Sequence, residues 1–441
     1  MKHKIRHILI RILKYFNYLI SRMVLLCVKV KKIRSSAVKK TDNTKRKLLI
    51  DCSFTYNSDL NTGIQRVVRN IIKNIKPYAQ ENNLELHIVT LLNNVIVEVD
   101  IDELRVKKNT TNSKIHMLYS KIATILKNHY SSCKNDIVPI YEDDILLIID
   151  SVWGLDIWES IKYVKERKVK IVGVAYDLIP ITHPQFCDAG LVKHFDEWYK
   201  QSLQYFDGYV AISKTVMNDM KKYISDIGIN PNNYFFDYFY LGSDFQKRKK
   251  QDFSVREELK ELYKYKKSVY LIVSTIEPRK NHKYLFEVFK KLWKLNIDAS
   301  LVIVGKQGWL VDDLVLEMKN HIRYQENLWI FNDLNDEELS FCYKYSKALL
   351  FPSFVEGYGL PIVESLKNGL PVFASDTPIH REIGKDLIEY FDISNTDSLV
   401  SMLYDIETKK KKLKQLNSNT IEIYTWEDSA KELLEKILKE E

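Results

Sequence analysis

Residues 351–364 read Phe-Pro-Ser-Phe-Val-Glu-Gly-Tyr-Gly-Leu-Pro-Ile-Val-Glu, and this is the most informative stretch of the chain. Its apolar start predicts a β-strand, Gly357 and Gly359 indicate a turn, and Pro361 suits the first turn of a helix. A strand followed by a glycine turn and a helix is typical of a parallel α/β sheet. The unpaired N–H groups at such a helix start, on Gly359 and Leu360, favour a phosphate group.

Two glutamates flank this turn. Glu364 lies about one helical turn beyond Gly359, where its carboxylate can accept hydrogen bonds from two neighbouring hydroxyl groups, as on a ribose. Glu356 precedes the turn and would face whatever is attached beyond the phosphates. The alternative is a surface loop with two ordinary glutamates, since acidic residues are common in the first turn of a helix.

Short apolar runs alternate with amphipathic stretches on both sides of this segment, which predicts two doubly wound, Rossmann-like α/β domains. Their predicted ranges are 47–245 and 246–424, with a polar connection over 242–257 and a last helix over 425–441. Such domains bind ligands at the carboxyl ends of their strands. If the two halves face each other, one cleft is lined by Gly63, Asp177, Ser213, Arg279, Lys280, Gly305, Lys306, Glu356 and Glu364.

Arg279 and Lys280 follow a predicted strand over 269–274 and precede a predicted helix over 281–295. Two cations at this junction could hold a diphosphate and stabilise the charge that develops when it leaves. The alternative is a pair of solvated side chains. Cations are mildly unfavourable at a helix start, which favours the first interpretation.

The charge of the chain is concentrated at its beginning. Residues 1–41 carry 12 of the 67 Lys and Arg residues and no acid, so the remaining 55 basic and 58 acidic residues nearly balance. A balanced body excludes a broad nucleic-acid surface. The five cysteines are scattered without a C-x-x-C pair, and the ten histidines have no ligand spacing, so we expect neither a disulfide framework nor a zinc site.

Residues 4–29 have the period of a basic amphipathic helix, with an apolar stripe opposite Lys and Arg. Basic residues interrupt every apolar run, which disfavours a membrane span, and no small-residue cleavage site follows. We therefore expect residues 1–46 to form a helix and linker that lie on an anionic membrane surface. The alternative is a helix docked on this chain or on a partner.

Three segments of the second half resemble family 4 glycosyltransferases, which are retaining enzymes of the GT-B fold. They are Glu-Pro-Arg-Lys-Asn-His at 277–282, Val-Gly-Lys-Gln-Gly-Trp at 304–309, and the two glutamates spaced by seven residues at 356 and 364. Residues 62–67, 176–180, 210–213 and the ending around Trp426 match as well. The resemblance covers about residues 47–441 and implies two domains facing each other across a cleft.

The resemblance also implies roles for individual residues. Lys280 and Arg279 would bind the diphosphate, Glu356 would contact the donor sugar, and Glu364 would hold the ribose. Asp177 is a further catalytic candidate, whereas Arg66 and Ser213 would lie on the acceptor side. The remaining donor-binding candidates are Gly63, Gly305, Lys306, Asn332, Leu334, Gly357, Tyr358, Gly359 and Leu360.

The chain departs from the family pattern at two positions. An Arg often found five residues before the Lys is Thr275 here, so Arg279 can substitute for it. A His often found before Asp177 is Tyr176, which leaves open the partner for the 6-hydroxyl of the sugar or for the reacting centre. The family needs no metal, and the single D-x-D motif at 100–102 lies away from the predicted cleft.

The resemblance therefore implies a retaining, metal-independent hexosyltransferase without a cofactor, acting in surface polysaccharide or lipopolysaccharide biosynthesis. Its donor would be a GDP-, UDP- or dTDP-linked sugar, with mannose weakly preferred, and its acceptor a lipid-linked oligosaccharide or glycan. The basic start of the chain predicts a peripheral protein on the inner face of the plasma membrane. The alternatives are a soluble glycan synthase or phosphorylase of the same fold and a non-catalytic nucleotide-binding scaffold.

Overall fold

The computed structural model describes residues 45–58, 63–92, 95–100, 104, 137–243, 255–414, 416 and 423–439. The amphipathic helix predicted over 4–29 lies outside these residues, as do Asp102 and most of the connection predicted over 242–257. The domain boundary predicted between residues 245 and 246 also falls outside them and stays a prediction. Among the helices of the described ranges, we found none with both the length and the apolar character needed to cross a membrane.

Within the described residues, the first domain has a sheet of seven strands. They are β1 (Lys47–Asp51), β2 (Glu85–Leu92), β3 (Val95–Glu98), β4 (Ile145–Ile148), β5 (Lys170–Ala175), β6 (Gly208–Ala211) and β7 (Phe235–Tyr238). Their order is β3-β2-β1-β4-β5-β6-β7, and every neighbouring pair is parallel except the β2–β3 hairpin at one edge. Strands β1, β4 and β6 are buried along their whole length, because helices cover both faces of the sheet.

The helices of the first domain alternate with these strands. Within the described ranges they are α1 (Ser53–Asn57), α2 (Gly63–Glu81), α3 (Trp158–Lys165), α4 (Ile179–Thr182), α5 (Ala189–Ser202) and α6 (Lys214–Asp226). The buried positions Val67, Val68, Ile71 and Ile75 of α2 recur at helical spacing and pack on the sheet. This single apolar stripe determines which face of α2 is turned to the core. It thereby also determines the position of Gly63 at the start of the helix.

The second domain has a sheet of six parallel strands within the described residues. They are β8 (Val269–Val273), β9 (Ser300–Val304), β10 (Leu328–Phe331), β11 (Ala348–Phe351), β12 (Val372–Ser375) and β13 (Glu389–Phe391), in the order β10-β9-β8-β11-β12-β13. Its helices are α7 (Glu257–Tyr265), α8 (His282–Lys294), α9 (Asp312–Asn320), α10 (Asp336–Tyr345), α11 (Leu360–Lys367), α12 (Pro378–Gly384) and α13 (Thr396–Glu407). The strand order reverses between β8 and β11, which is where such sheets bind ligands.

A last helix, α14 (Trp426–Leu438), follows the second domain in sequence but packs on the first. Its buried residues Leu433 and Ile437 belong to the core cluster that also contains Ile71 of α2. Lys436 lies 3.0 Å from Asp237 in β7, which adds an ion pair to this contact. The end of the chain therefore completes the core of the first domain.

The prediction of two doubly wound α/β domains is confirmed. The sequence did not indicate β7, whose four residues are all only partly buried, or β13, which has three residues and a glutamate at its start. Such edge strands carry a weak apolar pattern, because one side of each is open to solvent.

Candidate active site

The loop and helix start at residues 354–364 contact the first domain along their whole length. The ring of Phe354 stacks on Phe186, with 5.2 Å between the ring centroids. The carbonyl oxygen of Gly357 accepts a hydrogen bond of 2.9 Å from the hydroxyl of Ser213. At the far end, an ion pair joins helix α11 to helix α2. The carboxyl ends of the two sheets therefore face each other across one cleft.

Glu356 holds two cations at the point where the strand order of the second sheet reverses. Its Oε2 accepts a hydrogen bond of 2.8 Å from Nη1 of Arg279, and its Oε1 forms an ion pair with Nζ of Lys280. Arg279 and Lys280 follow β8, whereas Glu356 follows β11, the neighbouring strand. The sequence predicted all three as catalytic candidates, and the fold brings them into direct contact.

This cluster is nearly closed to solvent, which strengthens its electrostatics. The side chains of Glu356 and Lys280 are 8% and 12% exposed. Burial by itself raises the pKa of Glu356, but Lys280 and Arg279 outweigh it and hold that pKa well below its usual range. Burial also lowers the pKa of Lys280, whereas the acids around Arg279 raise the pKa of its guanidinium in spite of burial. Glu356 is therefore ionised at every physiological pH.

Two further carboxyl groups surround Arg279. Glu277 lies 2.6 Å from Nε of Arg279, and burial raises its pKa although Arg279 opposes the shift. Asp177 comes from the opposite wall, directly after β5, and its Oδ1 accepts a hydrogen bond of 3.0 Å from the N–H of Ile179. Burial raises the pKa of Asp177, and the nearby Arg279 partly offsets this. Asp177 is thus the carboxyl group that the first domain presents to the cations.

The glycine turn allows the two domains to approach closely. A Cβ on Gly357 would lie 2.0 Å from the carbonyl oxygen of Tyr176, so only glycine fits there. Gly359 has a φ of 98° and caps helix α11, a conformation that residues with a side chain rarely adopt. Pro361 stands in the first turn that follows. The turn thus has the geometry that the two glycines indicated.

Glu364 has both of its carboxylate oxygens engaged. Nη1 of Arg66, from α2 of the first domain, donates to Oε1 at 2.6 Å, and the hydroxyl of Tyr343 donates to Oε2 at 2.8 Å. The side chain of Glu364 is 4% exposed, whereas that of Arg66 is 29% exposed. Any hydroxyl group that reaches Oε1 must therefore share it with Arg66 or displace it. The sequence analysis assigned Arg66 to the acceptor side. In the structure its guanidinium forms an ion pair with Glu364, a predicted donor-binding residue.

Two tyrosines use their hydroxyl groups inside the fold. The buried Tyr176 donates to the carbonyl of Ile149 at 2.7 Å, so its hydroxyl is turned to the core of the first domain. Tyr358, a predicted donor-binding residue, donates to the carbonyl of Leu241 at 3.1 Å and fastens the glycine turn to the first domain. Their side chains therefore anchor the walls of the cleft.

The other predicted donor-binding residues lie just after the ends of strands or at the starts of helices. Gly63 is the first residue of α2, and a Cβ on it would meet nothing within 4 Å. A Cβ on Gly305 would lie 1.8 Å from the carbonyl oxygen of Ser274, so the ends of β8 and β9 pack closely there. Those that remain are the exposed Lys306 and Asn332 and the partly buried Leu334 and Leu360.

Sequence reasoning missed one carboxylate that joins the domains. Both oxygens of Glu382 on α12 accept hydrogen bonds from the start of α6, from the N–H groups of Lys214 and Thr215 at 2.7 and 2.8 Å. An acid at a helix start is stabilised by the unpaired N–H groups and the helix dipole. No local pattern could have indicated this contact, because its partners are about 170 residues apart.

The described residues contain no group of three or more His, Cys, Asp or Glu side chains arranged to hold a metal ion. Of the D-x-D motif, Asp100 is described and Asp102 is not. Metal independence therefore stays a prediction.

Comparisons with known proteins agree with this architecture. The family model described as glycosyl transferases group 1 matches residues 255–423. The serotype-specific mannosyltransferase WbdA of Escherichia coli is 26% identical over 401 residues, which cover 89% of this chain and 46% of WbdA. The chain thus spans less than half the length of this curated relative.

Two solved structures share the fold at low sequence identity. HepE of Anabaena, in complex with UDP and glucose, has a TM-score of 0.52 and 12% identity, covering 89% of this chain and 95% of HepE. The sucrose-phosphate synthase of Thermosynechococcus elongatus has a TM-score of 0.58 and 12% identity, covering 90% of this chain and 100% of the synthase. These likenesses show that the chain has the GT-B fold, and its second domain matches the family model of glycosyl transferases group 1.

Proposed function

We propose that this chain is a hexosyltransferase that uses a nucleotide-diphosphate sugar and a lipid-linked or polysaccharide acceptor, in surface polysaccharide or lipopolysaccharide biosynthesis. The observation that carries the proposal is the buried cluster of Glu356, Arg279 and Lys280 at the strand-order reversal. Mannose is the proposed sugar, because the curated relative that matches most of the chain is named a mannosyltransferase.

The cation pair suits a leaving diphosphate. When the bond between the anomeric carbon and the phosphate oxygen breaks, negative charge develops on the diphosphate and positive charge on the sugar. Arg279 and Lys280, with the N–H groups at the start of α11, would stabilise the first charge. Glu356 would stabilise the second, since its buried carboxylate stays ionised beside these cations.

The transfer needs no separate base. The acceptor hydroxyl oxygen forms the new bond to the anomeric carbon, and its proton passes to the departing phosphate oxygen on the same face. This route retains the anomeric configuration and does not use a metal ion. Electrostatic stabilisation by fixed charges is commonly the largest contribution to such a reaction.

Glu364 would hold the ribose of the donor. Its Oε1 is shared with Arg66, which is 29% exposed and can turn to solvent when a ribose hydroxyl arrives. Tyr343 would keep the carboxylate in place through Oε2. The ribose would thus sit one helical turn from the phosphate-binding start of α11.

The basic segment 1–41 supports a peripheral position on the inner face of the plasma membrane. A water-soluble donor and a lipid-linked acceptor would meet there. Each Lys or Arg near an anionic surface contributes about 1 kcal/mol, which salt weakens.

The proposal is tested in two steps on the full chain. A thermal-shift panel with GDP, UDP and dTDP identifies the base, and a nucleotide at 100 times its Kd adds about 2.7 kcal/mol of stability. Proton NMR then follows transfer from the matching sugar donor to a mannose oligosaccharide in excess EDTA.

We expect one nucleotide to stabilise the chain and the first product to have the anomeric configuration of the donor. An inverted product would refute the retaining mechanism. Activity that disappears in EDTA and returns with Mg²⁺ would refute metal independence. A chain that none of the three nucleotides stabilises would refute the proposed donor class.

A further inference from the structure

Four aromatic side chains meet where the two domains touch beside the cation pair. His183 and Phe186 belong to the first domain, in the segment after α4, and Trp309 and Phe354 belong to the second. The rings of His183 and Phe186 are nearly parallel, with centroids 6.3 Å apart, and Phe186 stacks on Phe354 at 5.2 Å. The indole N–H of Trp309 donates to the carbonyl of Phe186 at 2.9 Å. We call these four residues the aromatic rim.

The aromatic rim is exposed to an unusual degree. Phe354 is 38% exposed and Trp309 is 45% exposed, although both are large and apolar. Neighbouring exposed aromatic rings at the mouth of a cleft are typical of a binding site, since ligand sites combine apolar rings with a few polar groups.

The aromatic rim adjoins the candidate active site. The N–H of Phe354 donates to the carbonyl of Arg279 at 2.9 Å, and Glu356 follows two residues later. The nearby Cys187 thiol, next to Phe186 in the chain, has its pKa raised by burial and by the charge of Asp177. The rings therefore stand at the edge of the reacting centre.

The aromatic rim and the proposed ribose site lie at opposite ends of one segment. Along residues 354–364, Phe354 meets Phe186, the glycine turn comes next, and Glu364 meets Arg66 last. If the nucleotide occupies the Glu364 end and the diphosphate the cations, the donor sugar lies near Glu356. What remains next to the sugar, on the side away from the nucleotide, is the aromatic rim.

We propose that the aromatic rim is a stacking subsite for the terminal sugar of the acceptor glycan, an inference that rests on the proposed function. A pyranose ring has one face of C–H groups, and these pack on the electron-rich face of an aromatic ring. The occupant is a saccharide, because the acceptor group that must reach the anomeric carbon is a sugar hydroxyl. Asp177 and Glu356 would supply the carboxyl groups that accept a hydrogen bond from that hydroxyl.

A role as a latch between the domains makes a different prediction. A latch acts through the hydrogen bond from Trp309 to Phe186, which Trp309→Phe removes while it keeps an aromatic ring. A stacking subsite needs the ring and not the N–H group. Trp309→Phe and Trp309→Ala therefore separate the two roles.

The test measures binding of α-mannotriose by saturation-transfer NMR and, in parallel, the acceptor KM and the Kd of the nucleoside diphosphate. The variants are Phe354→Ala, Trp309→Ala and Trp309→Phe in the full chain. Tyr265→Ala is the matched control, because Tyr265 is an exposed aromatic residue on α7, outside the cleft. Removing about 60 Å² of apolar contact corresponds to about a tenfold loss of affinity.

We expect Phe354→Ala and Trp309→Ala to weaken mannotriose binding and raise the acceptor KM about tenfold. Trp309→Phe and the control should stay within about twofold of the parent, and so should every nucleotide Kd. Unchanged mannotriose binding in both alanine variants, or none in the parent, would overturn the inference. Equal losses in Trp309→Phe and Trp309→Ala, with weaker nucleotide binding, would assign a latch and overturn it too. Transfer by the parent, with the acceptor KM unchanged in the variants, would refute the subsite and leave the proposed function standing.

Discussion

The two glutamates of the candidate active site should respond in opposite ways to the same substitution. Glu356→Gln removes a negative charge that is paired with Arg279 and Lys280 and is 8% exposed. In the free enzyme this leaves two buried cations short of a partner, which costs about 3 kcal/mol of folding free energy. A bound nucleoside diphosphate supplies the missing charge, so the variant should bind it more tightly than the parent does.

The size of this effect follows from the geometry. A diphosphate bound to the cation pair would lie about 6 Å from the carboxylate of Glu356. At an effective dielectric constant of about 20, the repulsion between this carboxylate and each negative charge of the diphosphate is about 3 kcal/mol. Part of this is lost to relaxation and solvent, so we expect a net gain of about 2 kcal/mol, which is about thirtyfold in Kd. Transfer should nevertheless fall at least about a hundredfold, because the sugar loses the charge that stabilises its transition state.

Glu364→Gln should weaken binding of the same nucleoside diphosphate. Its carboxylate would accept hydrogen bonds from the ribose, and a hydrogen bond to a charged group contributes about 1.5 to 3 kcal/mol. Competition from Arg66 reduces this, so we expect about a tenfold rise in Kd. Glu435→Gln on the exposed face of α14 is the matched control and should change the Kd by less than about twofold.

Isothermal titration calorimetry with the nucleoside diphosphate, beside single-turnover transfer rates, measures all three variants. A higher Kd in Glu356→Gln than in the parent would refute the proposed repulsion, because it would mean that the carboxylate helps to bind the diphosphate. A normal Kd in Glu364→Gln would refute the ribose site. Full transfer by Glu356→Gln would remove that residue from the mechanism.

Three further predictions address the domain contact, the buried acids and the membrane. Gly357→Ala puts a Cβ 2.0 Å from the carbonyl oxygen of Tyr176. We therefore expect nucleotide binding to persist in calorimetry while the transfer rate falls at least about tenfold. A transfer rate equal to that of the parent would show that the close contact between Gly357 and Tyr176 is not needed. Burial and the charge of Asp150 raise the pKa of Asp51 from 3.8 to about 8. Between these values the folded chain keeps a proton that the unfolded chain releases, so stability falls as the pH rises, by up to about 1.4 kcal/mol per pH unit. The melting temperature of Asp51→Asn should therefore fall less between pH 5 and pH 8 than that of the parent. Parallel falls of the two melting temperatures would contradict the raised pKa of Asp51. Deletion of residues 1–41 should release the chain from anionic vesicles in sedimentation assays without abolishing transfer to a water-soluble acceptor, and undiminished vesicle binding would reject the membrane role.

Local chemistry explains what the sequence could predict about the site. Gly359 at a φ of 98° and Pro361 in the next turn have conformational preferences that are independent of the rest of the fold. Likewise, the apolar strands β8 and β11 place Arg279 and Glu356 after their carboxyl ends, where parallel sheets gather functional residues. These features follow from spacing and residue type alone.

The partners of these residues could not be predicted in the same way. The sequence indicated that Arg279 and Glu356 lie at strand ends, but their contact depends on β8 and β11 being neighbours in the sheet. The bond from Tyr343 to Glu364 joins two helices of the second domain, and that from Arg66 joins the two domains. Each depends on packing between segments that are far apart in the chain, which no local pattern encodes.

The sequence left the roles of Tyr176 and Asp177 open. The hydroxyl of Tyr176 is used by the carbonyl of Ile149, so the side chain at this position is an internal anchor. Asp177 keeps its place on the wall opposite the cations, where burial raises its pKa. Of the two, Asp177 is the candidate to contact the donor sugar or the acceptor hydroxyl, and this stays a prediction.

We expect the cation pair beside Glu356 to support acceptor-dependent transfer from a nucleotide sugar. The most direct measurement is release of the nucleoside diphosphate from GDP-mannose, UDP-glucose and dTDP-rhamnose, with and without a mannose oligosaccharide, in the parent and in Lys280→Ala. We predict that one donor is cleaved, that the acceptor accelerates its cleavage, and that Lys280→Ala lowers the rate at least about a hundredfold, as loss of a charged group at the leaving oxygen does. Equal rates in the parent and in Lys280→Ala, or no cleavage of any donor by the parent, would contradict the account.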